Sequence, residues 1–376
     1  MKFRYAMILS VVVCGTIAFY SSVSEADQSS ATTQKDKIKK TTAQDDDRPD
    51  GYLKNVIELQ YEEKGVIMDP RAAAFVSMAE QGPPIQTLTP HQAWENLNKL
   101  QAGYQVPSNI TLTEKVLPTG PTGSTKVQIY MNKGVKKPAP GIVYMHGGGF
   151  VMGSSTTHKR LMCELATCSD RIIVFVDYTN APEGKYPTAH KQCYAVLQYV
   201  YDHPSEFGID PTKIVVAGDS VGGAMAATCS LLAIEQGGPQ IQAQVLFYPA
   251  VNLDANAIDY GVLKDGPWLS KANLYWAWSQ YFTPKDNLKS IYISPVYATV
   301  EQLEGQPQTM VITDDCGPLH GSGEQYAKNL IAAGVDVTAM RFFGITHDFM
   351  MLNALKDTPA AKGALAAACH YLRTLN

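Results

Sequence analysis

Gly218-Asp219-Ser220-Val221-Gly222 stands between the strand-like run KIVVAG and AMAATCSLLAIEQGG, which reads as a helix. A serine on such a turn is held at the positive end of a helix, where a developing anion is stabilised. Gly218 and Gly222 suit the turn because neighbouring backbone approaches too closely for side chains. A hydroxyl is a poor nucleophile until a base takes its proton, so a histidine is required later in the chain. Of eight histidines, His347 in Gly344-Ile345-Thr346-His347-Asp348-Phe349 is the best placed, beyond the serine and at a carboxyl strand end, after VTAMRFF. His146-Gly147-Gly148-Gly149-Phe150, which closes the run GIVYM, can turn bare N–H groups toward one point. Gly148, Gly149 and Val221 are the expected oxyanion donors, with His146 bracing the loop. A phosphate cradle is disfavoured, since no G-x-x-x-x-G-K-[ST] and no properly spaced G-x-G-x-x-G is present. The chemistry these residues suit is acyl transfer.

The elements that must position them follow from hydrophobic runs. KVQIYM, GIVYMH, RIIVFVDY, KIVVAGD, AQVLFYP, TMVITDD and VTAMRFF alternate with helical stretches from Leu112 onward. Continuous apolar strands separated by helices predict an α/β fold with a mainly parallel sheet covered on both faces, chemistry lying at the carboxyl strand ends. Ahead of the sheet, Asp69-Pro70 and Thr89-Pro90 each place a capping side chain before a first-turn proline, with Gly82 and Gly103 as stops. Ala93, Trp94, Leu97 and Leu100 form one apolar face of the second helix. This small N-terminal pair, within residues 61–110, is either a cap over the site or simple packing. The sheet domain is expected over 111–376.

The 376 residues are 45% hydrophobic and 18% charged, with a formal net charge of -4, so the chain can bury a large core and has no electrostatic bias toward nucleic acid or an anionic membrane. A small-molecule partner fits better. Lys2 and Arg4 precede an apolar run from Ala6 to Tyr20, too short for a span of about 20 residues. It reads as a secretory leader over 1–26, cleaved before Asp27, and predicts an exported protein, periplasmic or secreted. Residues 27–60 begin polar and charge-blocked and read as a disordered tether. Six cysteines remain after the leader: Cys163, Cys168, Cys193, Cys229, Cys316 and Cys369. None has zinc spacing, Cys229 reads as a buried small apolar residue, and the spacings leave any pairing open.

HGGGF, DYTNAPEGKYPTAH, GDSVGG and GITHDF, in this order, closely resemble the hormone-sensitive-lipase-like α/β-hydrolases with GDSAGG-type turns, over roughly Tyr61 to the C-terminus. The resemblance implies an α/β-hydrolase sheet with an N-terminal helical cap, no cofactor or metal, and hydrolysis of short-chain carboxylic esters. It matches Ser220 to the nucleophile, His347 to the base and HGGG to the oxyanion loop. Asp177, Pro182, Glu183 and His190 match framework positions. The family's acid loop runs roughly D-P-L-R-D-E-G-E-x-Y-A, and here Gly317 occupies the aspartate register, followed by Pro318-Leu319, while His320-Gly321-Ser322 replaces the charged trio.

A substitute carboxylate is therefore sought. Asp315, two residues before Gly317 and on the same side of an extended segment, is the first expectation. Asp254, beyond the strand AQVLFYP, is the second. Asp314 points the opposite way unless the strand has already ended, and the fourth possibility is no acid, with water or a carbonyl holding His347. Cys316 lacks the turn a nucleophile needs. Trp268, in the insert after AQVLFYP, is expected beside the pocket. The primary expectation is a serine esterase working through an acyl-enzyme; the alternative is an impaired homologue that binds a small ligand. Retention of both the strained turn and the glycine run favours the enzyme.

Overall fold

The computed structural model describes residues 61–375. The expected leader and tether lie outside them. Helix α1 (Pro70–Ala79) opens where the Asp69 carboxylate accepts the Arg71 N–H, and α2 (Pro90–Leu100) opens with a reciprocal cap between Thr89 and Gln92. Both caps satisfy N–H groups that a helix end leaves unpaired.

One eight-stranded sheet follows, in the order β1-β2-β4-β3-β5-β6-β7-β8. Strand β1 is Ile110–Leu117, β2 Thr125–Asn132 and β3 Ala139–Met145. Helix α3 (Lys159–Ser169) leads to β4 (Ile172–Asp177), and α4 (Thr188–Asp202) to β5 (Ile209–Asp219). Helix α5 (Val221–Glu235) precedes β6 (Ala243–Phe247) and α6 (Lys271–Tyr281) precedes β7 (Gln308–Asp314). Helix α7 (His320–Ala332), β8 (Val337–Phe342) and α8 (Pro359–Thr374) complete the chain. Strand pairs β1/β2 and β2/β4 are antiparallel and the rest parallel, the mainly parallel sheet the hydrophobic runs imply.

Both faces are covered. Along β4, Ile172, Val174 and Val176 join one core, while Ile173 and Phe175 join the other. Helices α4, α5 and α7 supply the first core through Val196, Ala224 and Leu330; α3 and α8 supply the second through Leu165 and Leu372. This two-sided burial is why the strands lack polar alternation. Helix α5 is built of small residues and lies close on the sheet, with twelve of its fifteen residues buried, Cys229 among them.

Strand β1 escaped the sequence reading. ITLTEKVL mixes polar and apolar side chains, and it forms a half-exposed antiparallel edge held by its full register with β2. The opposite edge, β8, is more exposed than its apolar sequence suggests, with Met340 38% exposed and Phe343 beyond it 75%. Cys168 at the end of α3 is bonded to Cys369 in α8, while Cys163, Cys193, Cys229 and Cys316 are free and buried. Among the described residues no helix is long and apolar enough to cross a membrane.

Candidate active site

Ser220 follows the last residue of β5 and caps α5 with φ 51° and ψ -121°. A non-glycine residue held there stores roughly 1–3 kcal/mol of strain. Its surroundings over-determine the conformation: the Ser220 N–H donates to the Phe247 carbonyl at 2.9 Å, and the Ser220 carbonyl accepts from Ala224 at 3.2 Å and Ala250 at 2.9 Å. A Cβ on Gly222 would fall on the Met145 carbonyl oxygen, and one on Gly218 would lie 2.6 Å from that same oxygen. The two glycines thus let the turn press against the end of β3, which carries the glycine run.

That run is tied to the turn through Asp219. Its buried carboxylate accepts from the Tyr144 hydroxyl at 2.8 Å and the Gly147 N–H at 3.0 Å, and pairs with His158 Nε2 at 3.1 Å. Burial would raise the pKa of this carboxyl, but His158 and the Tyr144 hydroxyl outweigh it and hold it below the usual value. Sequence analysis assigned neither residue a role, because nothing local shows that segments 61 and 72 residues from Asp219 meet its carboxylate. Neither the Gly148 N–H (φ 96°) nor the Gly149 N–H (φ 63°) donates to a protein acceptor among the described residues, and both glycines line the same cavity as Ser220. Val221 begins α5, so its N–H is one of the helix's unpaired donors beside the serine. His146 stacks on Tyr178 with ring centroids 3.9 Å apart, and burial pushes its pKa down to about 3. His190, bonded to the Tyr281 hydroxyl at 2.9 Å, is pushed to about 3 for the same reason. Both are neutral framework groups.

The structure brings His347 to Ser220: Nε2 lies 3.0 Å from Oγ, and both side chains are almost wholly buried. The other ring nitrogen, Nδ1, faces Asp314 Oδ1 at 3.9 Å, an ion-pair separation longer than a direct hydrogen bond. Nδ1 and both Asp314 oxygens have no hydrogen-bond partner among the described residues. Burial acts to depress the His347 pKa, yet the nearby charges of Asp348, Asp314 and Asp219 prevail and raise it.

Asp315 does not stand behind the ring. Strand β7 ends at Asp314, and the chain turns so that the Asp315 N–H bonds to Phe342 and the Cys316 N–H to Ile345. The side-chain alternation that would put residues 315 and 317 on one side stops where the strand stops. The Asp315 carboxylate instead accepts from the Ile345 N–H at 3.3 Å and the Cys316 thiol at 3.2 Å. Asp254 is also misplaced, its carboxylate accepting the Asn256 N–H at 2.9 Å within its own loop. A further carboxylate was not foreseen. Asp348 Oδ1 lies 3.4 Å from His347 Nε2, its Oδ2 accepts the Trp268 indole N–H at 2.9 Å, and its φ is 65°. The signal was its adjacency to His347, but the direction of its side chain depends on a left-handed backbone that sequence does not display.

Ser220, His347, Gly148 and Gly149 open on a cavity of about 490 Å³. Ala93, Leu97 and Leu100 of α2 line it, as do Trp268 and Leu274 from the region after β6. No group of three or more histidine, cysteine, aspartate or glutamate side chains placed to hold a metal occurs among the described residues.

A family model for the α/β-hydrolase fold matches residues 142–351. An esterase of Gibberella moniliformis is 32% identical over 314 residues, covering 82% of this chain and 98% of its own. The carboxylic ester hydrolase LipN of Mycobacterium tuberculosis is 34% identical over 261 residues, 67% of this chain and 68% of its own. The crystal structure of a thermostable esterase from Pseudomonas putida ECU1011 superposes with a TM-score of 0.78 at 38% identity, covering 82% of this chain and 97% of that one. With the strand order, the serine turn and the glycine run in agreement, the chain belongs to the α/β-hydrolase family, in the hormone-sensitive-lipase-like esterase branch that its motifs resemble.

Proposed function

We propose that this protein hydrolyses short-chain carboxylic esters through an acyl-enzyme on Ser220. The observation that carries the reading is the 3.0 Å contact between His347 Nε2 and Ser220 Oγ at the floor of an apolar cavity. His347 takes the hydroxyl proton as Oγ bonds to the ester carbonyl carbon, and the carbonyl electron pair moves onto oxygen. The N–H groups of Gly148, Gly149 and Val221 receive that oxyanion. Collapse expels the alkoxide, which takes the proton from His347. Water, deprotonated by the same ring, then releases the carboxylic acid and frees Ser220. Helix α2, through Leu97 and Leu100, serves as a cap over the acyl or alcohol group. The esterase names of the relatives support the substrate class. Export, expected from the leader-like N-terminus, is supported by the Cys168–Cys369 bridge, because such bonds persist in oxidising compartments.

The ligand-binding alternative rests on a missing carboxylate, and a buried aspartate 3.9 Å from His347 Nδ1 favours the enzyme over it. The test is fluorophosphonate labelling of the purified protein alongside turnover of p-nitrophenyl acetate and butyrate. Wild type labels and turns over, and Ser220→Ala does neither. Absence of labelling in folded wild-type protein refutes the reading.

A further inference from the structure

We infer that the acid of the site has moved along the chain: Asp314 positions His347, and Gly317 is glycine because the Asp314 carboxylate occupies the space a side chain at 317 would need. The inference rests on the Ser220–His347 reading above and deepens it.

Three observations meet here. A Cβ built on Gly317 would fall on Asp314 Oδ2 and lie 2.8 Å from its Cγ. Gly317 does not have the left-handed backbone that favours glycine elsewhere in the chain, so conformation does not explain the residue. Exclusion by the Asp314 carboxylate does. Asp314 is fully buried, and both its oxygens are unpartnered apart from the ring nitrogen 3.9 Å away. Leaving a buried carboxylate unpaired is costly, so the imidazolium formed during turnover is the partner this position awaits.

Competing carboxylates fail on geometry. Asp348 is nearer to the ring, at 3.4 Å, but to Nε2, the nitrogen that must receive the serine proton, and Trp268 holds its other oxygen. An acid that orients the ring has to act at Nδ1, leaving Nε2 for Ser220. Asp315 and Asp254 are engaged elsewhere. The groups facing the ring are thus Asp314 from the end of β7, Asp348 beside it, Asp219 from the serine turn, and the buried Tyr248, whose ring lies edge-on at 4.8 Å.

The exchange is testable because it is reciprocal. With residue 314 truncated, an aspartate at 317 would start its side chain where the Asp314 carboxylate now lies, within reach of the same nitrogen. Asp314→Asn, Asp314→Ala, Asp315→Asn and the double variant Asp314→Ala/Gly317→Asp are compared in kcat, KM and the pH profile of kcat/KM on p-nitrophenyl acetate, with thermal melts to verify folding. Asp314→Asn, which conserves shape, lowers kcat by about 10³–10⁴-fold with KM little changed. It also moves the acid limb of the profile to lower pH, because one of the charges that raise the His347 pKa is gone. The double variant recovers at least about ten-fold over Asp314→Ala, and Asp315→Asn stays within about three-fold of wild type. The assignment is overturned if folded Asp314→Asn keeps kcat within about ten-fold of wild type with an unmoved acid limb, or if Asp315→Asn costs as much. A folded double variant no more active than Asp314→Ala overturns the exchange with Gly317. Wild type that labels with fluorophosphonate while Asp314→Asn is unimpaired sinks only this inference; wild type that does not label sinks the serine mechanism itself.

Discussion

Reduction of the Cys168–Cys369 bridge should lower stability and leave catalysis intact. The bond joins residues 201 apart, so it removes a large share of the unfolded chain's freedom. Loop-closure entropy for that separation is worth about 5 kcal/mol at 25 °C, within the range of roughly 2–5 kcal/mol typical for loss of a native bridge. The native junction has other support. The buried Arg171 guanidinium donates to the Leu372 carbonyl at 3.0 and 3.2 Å and to the Leu375 carbonyl at 3.2 Å, and Arg373 donates to the Cys168 carbonyl at 3.0 Å. Helix α8 therefore stays docked when the bond opens, and the effect falls on the unfolded state. Cys168→Ser/Cys369→Ser, or wild type in reductant, should melt on the order of 10 °C lower, taking about 2 °C per kcal/mol for a domain of this size. Esterase activity well below the transition should match the oxidised protein. Thiol titration in denaturant checks the pairing: residues 27–376 present four reactive thiols before reduction and six after. An unchanged melting temperature after full reduction, or loss of activity in protein that is still folded, would refute the argument.

Gly148→Ala should lower kcat by about 10²–10³-fold, the cost of disturbing one oxyanion donor, with a smaller change in KM. Its φ of 96° disfavours a side chain, and the added methyl would fall on the Gly153 backbone nitrogen. Wild-type kcat from a soluble Gly148→Ala variant would remove the loop from the mechanism. The pH dependence has a fixed sign: His347 acts as base only when neutral and its pKa is raised, so kcat/KM falls with decreasing pH through a midpoint above the ordinary imidazole value of about 6.5. The same shift contributes stability that is full below the unfolded imidazole's pKa and lost as pH rises through the folded value, opposite to the activity trend. A pH–rate profile whose acid limb lies at or below about 6.5 would contradict the charge arrangement around the ring.

Local chemistry made much of this protein legible. The central strands read as continuous apolar runs because each is buried on two faces, and Asp69-Pro70 and Thr89-Pro90 marked helix starts because capping uses neighbouring residues. The serine turn and the glycine run were readable for the same reason, since close backbone contact admits only glycine at 218 and 222. Strand β1 was missed because its pairing with β2, a long-range relation, holds residues whose own pattern is ambiguous.

The sequence by itself marked the serine turn, the histidine after the last strand and the glycine run as the candidate site, each written into a few consecutive residues. Only the tertiary structure decided which carboxylates attend His347. The direction of Asp314 depends on where β7 ends, that of Asp348 on a left-handed backbone, and the partnership of Asp219 with Tyr144, Gly147 and His158 on segments up to 75 residues away. A side chain's aim is set by the path of the chain through space. A one-residue change in where a strand ends reverses it.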